Sequence, residues 1–178
     1  MDLLKLDIAG MTAELPILPL PSGVMIAFFN LHGAQKLTEH CAKALAPFVE
    51  GCDILFTPES KALQLTHCIA RILGHDYYAV ARKTKKLYMQ DGIEVEINSS
   101  ITTGQTQKLY VSRHDVELMR GKKVAIIDDV VSTGNSLLGC EQLVKLAGGI
   151  ICKKAFVLAE GKAAERKDIF YLASIPLL

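Results

Sequence analysis

The stretch VAIIDDVVSTGNS, Val124 to Ser136, constrains this chain more than any other. It opens on a continuous apolar run, which suits a strand buried on both faces. The run ends on two adjacent carboxylates, Asp128 and Asp129, and small and hydroxylic residues follow almost at once: Ser132, Thr133, Gly134, Asn135 and Ser136. Such a loop, set between a strand and a helix, offers backbone N–H groups and hydroxyls to an anion. Gly134 permits the tight turn. The same residues could serve as an ordinary helix cap. The acid pair shifts the balance, because a phosphate nest has no use for carboxylates unless its ligand also brings donors or a cation. A sugar phosphate does so: its hydroxyls donate to the acids while its phosphate sits in the loop. Neither GxGxxG nor a GK[ST] loop is present, which sets aside the Rossmann and P-loop modes.

The remainder of the 178 residues fits one domain built around that stretch. Helical spacing marks residues 35–50, with Leu37, Cys41, Ala44, Leu45 and Phe48 on one side. DILFTP reads as a buried strand, residues 59–74 as a helix ending at Gly74, and DYYAVAR as another strand. IEVEI alternates, residues 98–106 are hydroxyl-rich, and KLYVS is a further strand candidate. KKVAIIDD, then a helix from Asn135, then IICKKAFVLAE and IFYLASI complete the series. Strands alternating with helices indicate an α/β fold with a mainly parallel twisted sheet flanked by helices. Ligands of such sheets bind at the carboxyl ends of strands. TPESKA, VARKTKK and DDVVSTGNS each follow a strand and so converge on one edge. Residues 1–34, with three prolines in LPILPLPSG, read as an irregular strand-and-turn segment packed on the core.

A formal net charge of +1 argues against a broad nucleic-acid surface. Apolar runs are too short to span a bilayer, and the N-terminus lacks a secretory pattern. Five cysteines without CxxC spacing are expected to be buried thiols in a reducing, cytoplasmic setting. No cysteine–histidine spacing suggests a protein metal site.

The acid-pair signature resembles the phosphoribosyl-diphosphate motif of the type I phosphoribosyltransferases. From about Asp53 to Glu160 the chain is similar to the adenine and xanthine enzymes of that family. The resemblance implies their fold, with residues 1–34 as a small N-terminal hood and residues 35–178 as a core carrying a mobile loop at 87–108. It implies transfer of ribose 5-phosphate from phosphoribosyl diphosphate to a purine, with Mg²⁺ accompanying the donor. Asp128 and Asp129 would hold the ribose, and Val131 and Ser132 through Ser136 the 5′-phosphate. Glu59, Ser60, Lys61 and Ala62, with the cations Arg82, Lys83 and Lys86, would face the diphosphate. Phe28, Asn30, Val130 and Gly161 would surround the base. Enzymes for 6-oxopurines tend to carry a lysine where this chain has Gly161, beside Lys162, which favours adenine. Adenine enzymes often have a proton-donating glutamate in the mobile loop; here Gln105 or Gln107 stands near that place, and an amide cannot act as an acid. A homodimer is implied, with no nucleic-acid or membrane partner. Two alternatives stay open: an enzyme for xanthine or another 6-oxopurine, and a non-catalytic regulator that binds the same donor. If the basic run faces the diphosphate, Lys83→Ala should raise the donor's apparent KM. Loss of base affinity alone would place the run elsewhere.

Overall fold

A computed structural model describes residues 2–97 and 107–178. Its centre is a five-stranded parallel sheet of β4 (Ile54–Pro58), β5 (Ala79–Ala81), β8 (Lys123–Val131), β9 (Ile150–Glu160) and β10 (Phe170–Ile175), in the order β10-β9-β8-β4-β5. Successive side chains of the inner strands alternate between two cores. Leu55, Ala125, Ile127, Ala155 and Val157 pack towards α1 (Gln35–Val49) and α2 (Leu63–Leu73). Phe56, Ile126 and Phe156 pack on the other face with α3 (Arg113–Met119), α4 (Asn135–Leu146) and the hairpin of β6 (Ile93–Ile97) and β7 (Gln107–Val111). Being covered on both faces is why these strands read as unbroken apolar runs. The sheet thereby places the carboxyl ends of β4, β5, β8 and β9 side by side.

The N-terminal segment is more regular than the sequence suggests. It forms a three-stranded antiparallel sheet of β1 (Leu3–Ile8), β2 (Met11–Pro19) and β3 (Met25–Ala27). Pro16 and Pro19 lie in β2, yet β1 and β3 pair along different stretches of it. Helix α2 begins at Leu63 rather than Glu59, because Glu59–Ala62 are spent on a turn whose polar groups bind other loops. It ends at Gly74 in the left-handed conformation, as expected. Helix α3 was not anticipated. It is too short to show a period, but Ser112 and Asp115 cap its start reciprocally. Within the span 87–108, a 3-10 turn at Leu87–Met89, β6 and the start of β7 are regular, and Gln107 lies exposed in β7. Residues 98–106, with Gln105, lie outside the described residues.

The cysteines correct one expectation. Cys41, Cys68 and Cys140 are free and buried, and burial pushes the Cys41 thiol up to about 12. Cys52 and Cys152, however, are joined in a disulfide. They stand 100 residues apart in sequence, at the amino ends of β4 and β9, the two strands that flank β8 in the parallel sheet. Thiol titration of denatured protein purified without reductant should therefore count three sulfhydryls, rising to five after reduction. Five from the outset would show the pair open.

Candidate active site

Asp128 and Asp129 sit near the end of β8, in the middle of the sheet, and are only 8% and 6% exposed. Burying two adjacent carboxylates is costly unless donors reach them. One comes from the turn after β4 and one from β8 itself: Ser60 Oγ donates to Asp128 Oδ1 at 2.8 Å, and the backbone N–H of Asp129 donates to the same oxygen at 2.9 Å. Lys61 Nζ stands 3.4 Å from Asp129 Oδ2, an oxygen with no hydrogen bond among the described residues. Burial, and then the charge of Asp129, raise Asp128 well above the ordinary carboxylate range.

Next to the pair, Ser132–Gly134 lead into α4. Gly134 is the residue before the helix, with φ of +83°, and no side chain caps the first turn. Thr133 Oγ1 accepts only a long bond, 3.5 Å, from the N–H of Asn135. The loop encloses a cavity of about 140 Å³ lined by Asp128, Val130 through Leu137 and Phe156. Uncapped N–H groups at a helix start, next to hydroxyls, form an anion site, and Asp128 borders it directly.

The turns after β4 and β5 are locked to each other. Glu59 pairs with Arg82 at 3.1 Å and accepts the Lys83 backbone N–H at 3.0 Å. That N–H, and next the guanidinium, hold Glu59 below its usual carboxylate range. Arg82 also donates to Tyr88 Oη. Glu59 is therefore placed as a brace between loops, while Lys83 and Lys86 extend into solvent. Ala62 is buried at the turn, its N–H on Ser60 Oγ. Lys61 turns inward instead: it donates to the Phe29 carbonyl at 2.5 Å and lies 4.9 Å from the centre of the Phe28 ring.

Lys61 thus borders a cleft of about 160 Å³, together with Ile26–Phe29, Val130, Glu160 and Ile175. Phe28 and Val130, both expected near a base, meet there. Asn30 and Gly161 do not. The Asn30 amide oxygen accepts from the His32 N–H, and the residue borders a separate groove of about 870 Å³ between the hood and α1. Gly161 packs against Leu177. Glu160 and the inward turn of Lys61 escaped the sequence reading, since neither carries a local signal. No cluster of three metal-ligating side chains occurs among the described residues, nor does any helix there have the length and apolarity to cross a membrane.

Comparison with known proteins agrees with this architecture. The phosphoribosyl transferase domain model matches residues 30–175. A xanthine phosphoribosyltransferase from Exiguobacterium is 36% identical over 95 residues, 50% of this chain and 48% of that one. The chain thus spans about half the length of that relative. An adenine phosphoribosyltransferase from Clostridium beijerinckii is 29% identical over 69% of each chain. The crystal structure of adenine phosphoribosyltransferase from Thermoanaerobacter pseudethanolicus superposes with a TM-score of 0.74 at 22% identity, covering 90% of this chain and 95% of that one. At that identity the superposition speaks for the fold.

The raised Asp128 gives a pH-dependent prediction. A carboxyl that holds its proton more tightly folded than unfolded favours the fold at acid pH. That contribution is lost as pH rises from the unfolded value, about 3.9, through the raised folded one. Asp128→Asn keeps an acceptor for Ser60 and the Asp129 N–H but removes the buried charge. It should raise the melting temperature at neutral pH by a few degrees, about 2–4 °C per kcal/mol, and the gain should vanish towards pH 3. Thermal melts across pH check this; a lower melting temperature at neutral pH would refute it.

Proposed function

This chain belongs to the phosphoribosyl transferase domain family, and we propose that within it the protein is a purine phosphoribosyltransferase. The observation that carries the reading is Asp128, which belongs both to the buried acid pair and to the wall of the uncapped loop cavity. A ribose 5-phosphate fits that juxtaposition, its hydroxyls donating to Asp128 and Asp129 and its phosphate meeting the N–H groups of Ser132–Ser136. The donor's bond between the sugar's C1′ and diphosphate breaks, and a bond to a base nitrogen forms. Positive charge developing on the sugar is stabilised by the acid pair, a preorganised electrostatic role. The two braced turns after β4 and β5 lie on the side where diphosphate leaves.

Mg²⁺ fits this site as a companion of the donor. The acid pair offers oxygen ligands only, as a hard cation prefers, and Asp129 Oδ2 is buried without a hydrogen bond. When bound, Mg²⁺ would neutralise diphosphate charge and ease its departure. On this side the chain's own contribution is Lys61, which meets Asp129, and Arg82, which Glu59 holds in place.

For the base, the cleft beside Val130 favours adenine. Glu160 brings acceptors, and a 6-amino group donates to one. A buried 6-oxygen needs a donor and costs about 1–3 kcal/mol without it. Among the described residues the only cation bordering the cleft is Lys61, already engaged with Phe29 and Asp129. The alternative, xanthine, draws support from the xanthine enzyme among the relatives. We further propose a cytoplasmic homodimer.

Assaying diphosphate release with phosphoribosyl diphosphate, Mg²⁺ and each base in turn, and identifying the nucleotide formed with four purines in competition, tests the whole reading. Adenine should be used in preference to hypoxanthine, guanine and xanthine. Preferred use of xanthine or guanine would overturn the base assignment alone. Tight donor binding without turnover of any base would make the protein a regulator. Asp129→Asn should lower turnover by about ten- to a thousandfold, and unchanged turnover would remove the acid pair from the chemistry.

A further inference from the structure

We infer that Arg166 is a second grip on the sugar's phosphate, reaching the Ser132–Ser136 loop across Gly134. The inference rests on the phosphate reading of that loop. Arg166 ends the 3-10 turn that follows β9. Its Nε and Nη2 donate to the two carboxylate oxygens of Asp168, at 3.0 and 2.8 Å. Asp168 also pairs with Lys154 of β9, which in turn pairs with Glu141 of α4 at 2.7 Å. The guanidinium is thereby fixed in a bidentate fork and tied to both the sheet and the helix that carries the loop.

The fork uses two of the three guanidinium nitrogens. The third, Nη1, has no hydrogen-bond partner among the described residues, and it lies 3.0 Å from where a Cβ on Gly134 would stand. A side chain at position 134 would therefore crowd the arginine as well as strain a backbone at φ of +83°. Glycine at this point leaves the guanidinium room beside the loop. The four charges of Lys154, Arg166, Glu141 and Asp168 cancel, so the cluster adds no long-range field. What it adds is a directed, charge-assisted N–H donor beside a site otherwise built from backbone N–H groups and hydroxyls. Its orientation is settled before the ligand arrives, which lowers the cost of ordering a long side chain on binding. The Asp168 carboxyl, held well below its usual range by Arg166 and then Lys154, keeps its charge throughout the neutral region.

Arg166→Gln and Asp168→Asn test this, using calorimetric titration with ribose 5-phosphate and steady-state kinetics on the full chain. Arg166→Gln should weaken ribose 5-phosphate by about tenfold, the loss expected for one charge-assisted hydrogen bond. It should raise the donor's KM by a similar factor, while the KM for the base stays within about twofold. Asp168→Asn keeps the cation but loosens it, and should give a smaller loss confined to the same phosphate-bearing ligands. Unchanged ribose 5-phosphate affinity in Arg166→Gln, or equal losses for donor and base, would reduce Arg166 to a structural strut. If the unaltered protein bound neither ribose 5-phosphate nor the donor, the phosphate reading of the loop would fail first and this inference would fall with it. That outcome is distinguishable, because it needs no variant.

Discussion

Two adjacent carboxylates buried at the end of the central strand set the terms for the rest of this structure. Their ionised forms lose water, and in a low-dielectric setting each raises the cost of the other. The fold answers by bringing a hydroxyl and an ammonium from a different strand: Ser60 on Asp128, Lys61 beside Asp129. That requires the turn after β4 to lie beside the end of β8, and hence β4 and β8 to be neighbours in a parallel sheet. It also requires helix α2 to start late, since Ser60 and Lys61 are needed in the turn. The sheet order, the turn and the register all serve the same local demand.

The site then separates its charges along the sheet edge. Negative charge sits at β8, anion-seeking N–H groups lie just beyond it at the start of α4, and cations come from the turns after β4 and β5 and from the segment after β9. A ligand with hydroxyls at its middle and phosphates at its ends matches this order. Glu59 would be out of place on a turn proposed to face a diphosphate if its charge were free. Paired with Arg82 and the Lys83 N–H, it instead joins two turns into one rigid edge, at the cost of committing Arg82.

The parts of this design that were legible in the sequence are those written locally. The apolar run of β8, the acid pair and the Ser132–Ser136 loop are contiguous, and each needs only its neighbours to make sense. Helix α2 showed its period and its Gly74 stop, yet not its start, because the residues spent on the turn have no helical mark against them. The hood was legible as a strand-and-turn segment, but its regular three-stranded sheet was not, because Pro16 and Pro19 argue against a continuous strand unless one knows that different partners pair with each part of β2. The Cys52–Cys152 pair was invisible for a related reason: only the sheet order, with β4 and β9 on either side of β8, makes residues 100 apart into neighbours.

The same distinction explains why the phosphate end of the site is better defined by sequence than the base end. Backbone N–H groups and small residues bind a phosphate whatever the surrounding side chains, so one short motif suffices. The base cleft is assembled from the hood strand, the turn after β4, the end of β9 and the end of β10, four segments spread from Ile26 to Ile175. Its polarity depends on where Lys61 and Glu160 point, and Lys61 is pulled inward by the Phe29 carbonyl and Asp129 together. On the proposed reading, selectivity for the base would be coupled to the acid pair through a single ammonium. A change that loosened Lys61 from Asp129 would free a donor for a 6-oxygen and alter the carboxylate proposed to act on the sugar in the same step. Under the proposed function, base preference and sugar chemistry are therefore not independent, although they would occupy different pockets.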